Sequence, residues 1–501
     1  MSRNKAFAAS VASIFVAVPA SAKTFIDYFL PTPVTCALTT KAWGCTATGS
    51  TPANCTAGAG VVPRDTCNGI ESPKNPPGNY YWDGSIIRAS DGNYHLFADR
   101  WAGSSGFNPG WLNSDPIHAA GGSNPLGPYA DKGYAYSYSG FGSDPHHGHN
   151  SEVFTLLNGT YAMVVSEVVA WTIFTSPSVD GPWTPCPGSP GSGLSVPSNG
   201  YGGNNSYASN VSIVARPDGN FESIQRHGLI ALSTSGVCGP YKAQQPTNTY
   251  PSAEAVPSAN SGSIFPNKKT HSDPAGPSTA EGTYSLAEDP VIWYSGGQYH
   301  VLYDYPDDRV GYLLTSTDGI HNWTDQGLAY DPRSAQKIFS YTDGTVDHWY
   351  KMERPFVLVE NGHITHVTFA VSDVDKNNQI SAGTDHGSKV IVIPFDGITF
   401  EKDNGIISTG IQEAAQSGPS RQAIVSRDGS FVIDYAGYGP GLVEFGLYTT
   451  KGNLVSHRRV SVTGNSGSAD WKELSSLSRG IYFVRGKTGN KVVEGETFLK
   501  P

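Results

Sequence analysis

Along this chain, apolar and polar residues alternate in short runs, and the runs come in pairs joined by tight turns. Tyr81-Trp82-Asp83-Gly84-Ser85-Ile86-Ile87-Arg88, the turn Asp91-Gly92, and Tyr94-His95-Leu96-Phe97 predict a β-hairpin entered through an acidic residue. Glu288-Asp289-Pro290-Val291-Ile292-Trp293-Tyr294, with Gly296-Gly297 and Gln298-Tyr299-His300-Val301-Leu302-Tyr303, repeats it almost position for position. Weaker copies stand at Asn150-Ser151-Glu152-Val153-Phe154, Asn210-Val211-Ser212-Ile213-Val214 and Arg354-Pro355-Phe356-Val357-Leu358, each followed by an Asn-Gly or Asp-Gly turn. Most copies end in a closing phrase: Leu126-Gly127-Pro128-Tyr129, Asp180-Gly181-Pro182-Trp183, Cys238-Gly239-Pro240-Tyr241 and Ile320-His321-Asn322-Trp323. The copies start at 83, 150, 210, 289 and 354, intervals of 67, 60, 79 and 65 residues, which suit four strands with elaborated loops. This predicts an all-β fold, a five-bladed β-propeller. A β-sandwich with look-alike hairpins is the alternative, but chance would seldom keep hairpin and closing aromatic in the same order.

The pattern changes after Ile411. Gln412 to Ser420 reads as a linker, and short strands follow at Phe431-Val432-Ile433, Val443 to Tyr448, Arg458 to Val462, Gly480 to Arg485 and Thr497 to Lys500, a small C-terminal β-sandwich. The expected division is 1–22, a signal peptide; 23–74, a cysteine-containing segment; 75–410, the propeller; and 421–501, the sandwich. The signal peptide rests on Arg3 and Lys5, the apolar run from Ala6 to Val18, and Ala20-Ser21-Ala22, with cleavage after Ala22. That run is shorter than the ~20 residues of a membrane span, so the reading is a secreted or cell-surface protein with no membrane partner. Pro246 to Ser285 is rich in Ser, Pro, Asn and Gly and reads as a long insertion between the third and fourth repeats.

Composition supports export and removes one class of partner. With 58 Gly, 35 Pro and 26 Tyr but only 15% charged residues, the chain has the make-up of a turn-rich, aromatic-rich β protein. A net charge of −10 and the lack of any basic run argue against nucleic acid. Cysteines stand at 36, 45, 55, 67, 186 and 238, an even number that favours disulfides in an exported chain. Cys186 sits just after one closing phrase and Cys238 within the next, which makes them a candidate pair, although sequence does not give the connectivity.

In a propeller the start of each innermost strand meets the others at one pocket. Alignment puts Asp83, Asn150, Asn210, Asp289 and Arg354 at one level, and Trp82, His149, Ser209, Glu288 and Glu353 one residue earlier. Three repeats thus bring carboxylates to a common rim, as glycosidic hydrolysis requires: one carboxyl to protonate the leaving oxygen, one to activate water or attack carbon. Asp and Asn also simply cap turns, and for Asn150 and Asn210 that reading is as good.

Trp82-Asp83-Gly84, Glu288-Asp289-Pro290 and Glu353-Arg354-Pro355 resemble the three acidic motifs of the five-bladed β-propeller glycoside hydrolases, the superfamily of arabinanases, levansucrases and invertases that includes glycoside hydrolase family 43. The resemblance covers roughly residues 75 to 405 and implies a carbohydrate substrate. It implies that Asp83 is the general base or nucleophile, Asp289 orients the sugar, and Glu353 is the general acid with a raised pKa. Trp82, Arg100, Trp101, His149, Asn150, Asn210, Glu288 and Arg354 would bind substrate. Family 43-like action would invert configuration and levansucrase-like action would retain it. The repeat count puts Asp289 and Glu353 on the fourth and fifth repeats rather than the early ones where the superfamily has them, so either the count is shifted or Glu288 and Glu152 compete for a role. No cofactor is required, although the family's frequent axial calcium leaves room for a structural one. His146-His147-Gly148-His149 could instead hold a metal. Leu447 to Gly452 and Leu477 to Val484 resemble the sorting domains of bacterial secreted enzymes, which implies secretion machinery as a partner. A carbohydrate-binding module is the rival for the tail, which offers one tryptophan, Trp471. Two other classes stay open: a polysaccharide lyase using His149, Tyr207 and Arg226, and a non-catalytic glycan-binding propeller.

Overall fold

The computed structural model describes residues 23–39, 63–72, 78–138, 148–187, 210–244, 263–266 and 287–404, with short interruptions, and most of 421–500. The expected signal peptide, Cys45, Cys55, His146, His147, Tyr207, Ser209, the linker and most of the 246–285 insertion lie outside the described residues. Those residues are nearly all β, and the α-helix among them is Gly397–Asp403. No described helix is long and apolar enough to cross a membrane.

Each sequence repeat forms a four-stranded antiparallel sheet. The first is Asn79–Arg88, Tyr94–Ala102, Asp115–Ala120 and Ala130–Tyr134, and the second His149–Thr155, Tyr161–Ser166, Thr172–Ser176 and Thr184–Pro185. The third is Ser212–Ala215, Phe221–Gln225, Leu229–Ser233 and Lys242–Ala243, and the fourth Glu288–Ser295, Gln298–Tyr305, Val310–Ser316 and Thr324–Tyr330. The fifth has three strands of its own, Lys351–Glu360, His363–Ser372 and Ser388–Pro394, and takes its fourth, Ile70–Glu71, from before the first sheet. The closing phrases sit directly before the fourth strands, and their aromatics Tyr129, Trp183, Tyr241 and Trp323 are buried. Gly127 in the first phrase has φ +109°, and a Cβ there would lie 2.7 Å from the Cys67 carbonyl oxygen, so the turn needs glycine.

Strand alternation sends successive side chains to opposite neighbours, which is why both faces of these strands are apolar. Leu96 and Ala98 meet Val390 and Leu358 of the fifth sheet, while Phe97 meets Val153 and Phe174 of the second. Similar clusters join the second sheet to the third through Val164 and Ile213, the third to the fourth through Ile224 and Val301, and the fourth to the fifth through Trp293 and Phe369. First strands are cross-bonded too: the Val153 N–H donates to Ser85 Oγ at 3.1 Å and the Ile292 N–H to Ser212 Oγ at 3.0 Å.

The N-terminal segment is built into this assembly. Phe25 and Tyr28 pack against Phe395 at a tilt and against Phe400 edge to face. Arg64 and Lys389, both buried, share the Glu71 carboxylate. Disulfides join Cys36 to Cys67 and Cys186 to Cys238, the second as the sequence led one to expect, and they fit an oxidising compartment.

In the tail, the strands Arg421–Arg427, Ser430–Ala436 and Ser466–Asp470 form one sheet. Leu454–Val462, Gly441–Thr449, Gly480–Thr488 and Lys491–Lys500 form another. Ile433, Phe445, Leu447, Val462 and Trp471 share one core across the two. Trp471 is fully buried there and offers no face to a sugar.

Candidate active site

The five aligned residues have the same backbone. Asp83, Asn150, Asn210, Asp289 and Arg354 hold φ of 59°, 59°, 54°, 51° and 53°, the left-handed region that Asn and Asp tolerate and Arg seldom visits. In four of the sheets the pairing slips at this point, between Trp82 and Ser85, His149 and Glu152, Glu288 and Val291, and Glu353 and Phe356. These four first strands therefore bulge at the same place, each turning one polar side chain into the cavity, and in the third sheet Asn210 does so just before its strand begins.

Those side chains form a connected network. Asn150 Nδ2 donates to Asn210 Oδ1 at 3.2 Å, Asn210 Nδ2 donates to Asp289 Oδ1, and the Arg354 guanidinium binds the same oxygen at 2.9 Å. They line a small cavity, with Asp83, Glu152 and Phe356, of about 30 Å³, room for roughly one water. Above it opens a cleft of about 330 Å³, sharing Asn150, Asn210 and Arg354 with the cavity. Its aromatic wall is Trp82, Trp101, Phe107 and Trp111, and His149, Glu288 and Arg226 add polar groups. Of the predicted substrate-binding residues, Trp82, Trp101, His149, Asn150, Asn210, Glu288 and Arg354 all line this cleft.

Two expectations need correcting. Arg100 is not at the cleft: strand alternation turns Asp99 and Trp101 toward it and Arg100 away, onto Asp131 at 2.7 Å. Glu353 lines neither space and does not have a raised pKa; its carboxylate lies between Lys351, at 2.8 Å, and Lys376. Although burial opposes ionisation, the two ammonium groups outweigh it and hold Glu353 down to about 2.

Other carboxyls move the opposite way. Burial raises Asp83 to about 7 against the pull of Arg354, and its Oδ2 has no hydrogen-bond partner among the described residues. Burial also raises Glu152, to about 8. Asp99 is raised well above the carboxylate range by burial and by Asp83; its Oδ2 accepts the Asn150 N–H at 2.7 Å and its Oδ1 has no partner among the described residues. Asp304 is raised likewise, by burial, Asp289 and Glu353. Asp99 pairs in register with Trp82 and Asp304 with Glu288, the same place in the first and fourth sheets. Neither was singled out from sequence, yet both end the same phrase, His95-Leu96-Phe97-Ala98-Asp99 and His300-Val301-Leu302-Tyr303-Asp304.

No protein-family model and no curated protein matches the chain by sequence. Several solved structures are similar at low identity. Zg3597, a family 117 glycoside hydrolase from the marine bacterium Zobellia galactanivorans, is 10% identical over 66% of this chain and 88% of its own, with a TM-score of 0.42. A GH43_1 enzyme from Xanthomonas citri is 10% identical over 63% and 88%, with a TM-score of 0.37. The GH43 endo-arabinanase from Bacillus licheniformis is 15% identical over 65% and 96%, with a TM-score of 0.34. Likenesses this distant carry no argument about chemistry, which rests on the cleft itself.

Proposed function

We propose that the five sheets are the blades of a five-bladed β-propeller and that the protein is a secreted glycoside hydrolase acting on a plant or algal polysaccharide or oligosaccharide. The observation that carries this reading is Asp83, a carboxyl poised near neutrality beside a cleft walled by indole rings. Flat aromatic faces suit sugar rings, and a base with a pKa near the working pH suits removal of a proton from water. Asp83 acts as base or nucleophile, and Asp289, bound by Asn210 and Arg354, fixes the geometry around it.

The proton donor is a glutamate one residue before a bulge, and two sheets offer one. The family resemblance favours Glu353, but its lysines keep it ionised. Glu288 lines the cleft, where Glu353 does not, and is the better placed on that ground alone, since its ion pair with Arg226 also favours the ionised form. A screen of polysaccharides, with product stereochemistry followed by NMR, tests the class. Loss of all turnover in wild type, or an unsaturated uronate chromophore in the product, would overturn hydrolysis. Glycosides whose leaving group needs no protonation identify the donor: Glu288→Gln should keep activity on them and lose it on natural linkages, and Asp83→Asn should lose both. If Glu353→Gln shows that split instead, Glu353 is the donor.

A further inference from the structure

At the end of the first sheet away from the cleft, two histidines stand side by side. His95 lies four residues before Asp99 on Tyr94–Ala102, and His118 pairs in register with Phe97 on the next strand. Both side chains thus share the face turned toward the second sheet. Their rings stack 5.0 Å apart, and His118 also stacks on Phe97 at 5.0 Å. His95 Nδ1 and His118 Nε2 face each other at 2.8 Å, and both residues are buried. From the second sheet, the closing turn Asp180-Gly181-Pro182-Trp183, exposed at Asp180, places Asp180 Oδ1 3.7 Å from His118 Nε2. All three donor atoms lie within 4.8 Å of one another.

We infer that His95, His118 and Asp180 form a binding site for a divalent metal ion of the zinc class, tying the first sheet to the second. Two imidazole nitrogens and one carboxylate oxygen are a zinc-type ligand set, and a water completes four-coordination on the exposed side. Tetrahedral bonds of about 2.0–2.2 Å put neighbouring donors roughly 3.3–3.5 Å apart. The observed 2.8 and 3.7 Å separations bracket that range, so small ring rotations suffice. Asp91 and Asp131 add negative potential around the pair, against which Lys132 works. Nothing in the proposed hydrolysis uses these residues, so the site stands or falls by itself.

The full-length chain, stripped with a chelator, is titrated with zinc by calorimetry and with cobalt(II) by visible absorption. One equivalent should bind, with tetrahedral cobalt bands and a higher thermal midpoint. Asp180→Asn, at an exposed position that leaves folding intact, should weaken zinc at least about tenfold, the loss expected when one of three charged or strongly donating ligands goes. His118→Gln, its fold checked by circular dichroism, should abolish binding. No zinc-dependent shift in wild type would overturn the inference, as would variants that bind zinc as wild type does, which would place the metal elsewhere, for instance at the 146–149 histidines.

Discussion

Asp83, Asn150, Asn210, Asp289 and Arg354 all hold a left-handed backbone, and each departure costs roughly 1–2 kcal/mol for a residue with a Cβ. Five such costs at one cavity persist because the bulges aim polar groups at a shared point. Asn150→Ala should therefore destabilise by roughly 2 kcal/mol in denaturant unfolding, losing both the tolerant side chain and the bond to Asn210. The pH behaviour follows from opposite shifts. Asp83 and Glu152 have folded pKa values raised to about 7 and about 8, so the folded state binds more protons than the unfolded one between the ordinary carboxylate range and those values. Their ionisation costs stability as pH rises through that window. The thermal midpoint should fall between pH 5 and pH 8, and Glu152→Gln should flatten the fall; an unchanged slope would contradict the assignment. Glu353 behaves in reverse: its contribution is present above the ordinary carboxylate pKa and lost as pH drops toward about 2. Glu353→Gln strands Lys351 and Lys376 and should cost about 3–5 kcal/mol, seen as a lower urea midpoint at pH 7.

At the scale of the element, the hairpin repeat was visible because each turn and each alternating strand writes itself locally. The closing phrases were visible for the same reason, and their place before each fourth strand explains why their aromatics are buried. The fourth strand of the fifth sheet was not visible. Ile70–Glu71 is two residues long and pairs with Lys389 and Val390, more than 300 positions away, which no local pattern records. The Cys186–Cys238 bridge closes a separation of 52 residues between the second and third sheets, so removing it should cost about 4 kcal/mol by the loop-entropy account. A thermal midpoint unchanged in the Cys186→Ser/Cys238→Ser variant would contradict that.

For the whole molecule, the described cleft residues come from the five sheets or the loops between their strands, and among the described residues none comes from the tail. A chain ending at residue 404 should keep the turnover of the full protein in the same glycosidase assay, and loss of folded protein on truncation would show that the tail supports the sheets. The sequence by itself determined the all-β class, the repeated hairpin, and the position in each repeat whose polar residue lines the shared cavity, because turn chemistry and period-2 alternation are local properties. It also carried the repeated His-x-x-x-Asp phrase that ends at Asp99 and Asp304. Only the tertiary structure decided the charge each carboxyl carries. Asp83 and Glu353 look alike in sequence, but their protonation is set by what surrounds them: desolvation for one, and for the other the ammonium of Lys351, two residues earlier on the same strand, joined by that of Lys376, which the fold brings in from 23 residues along the chain.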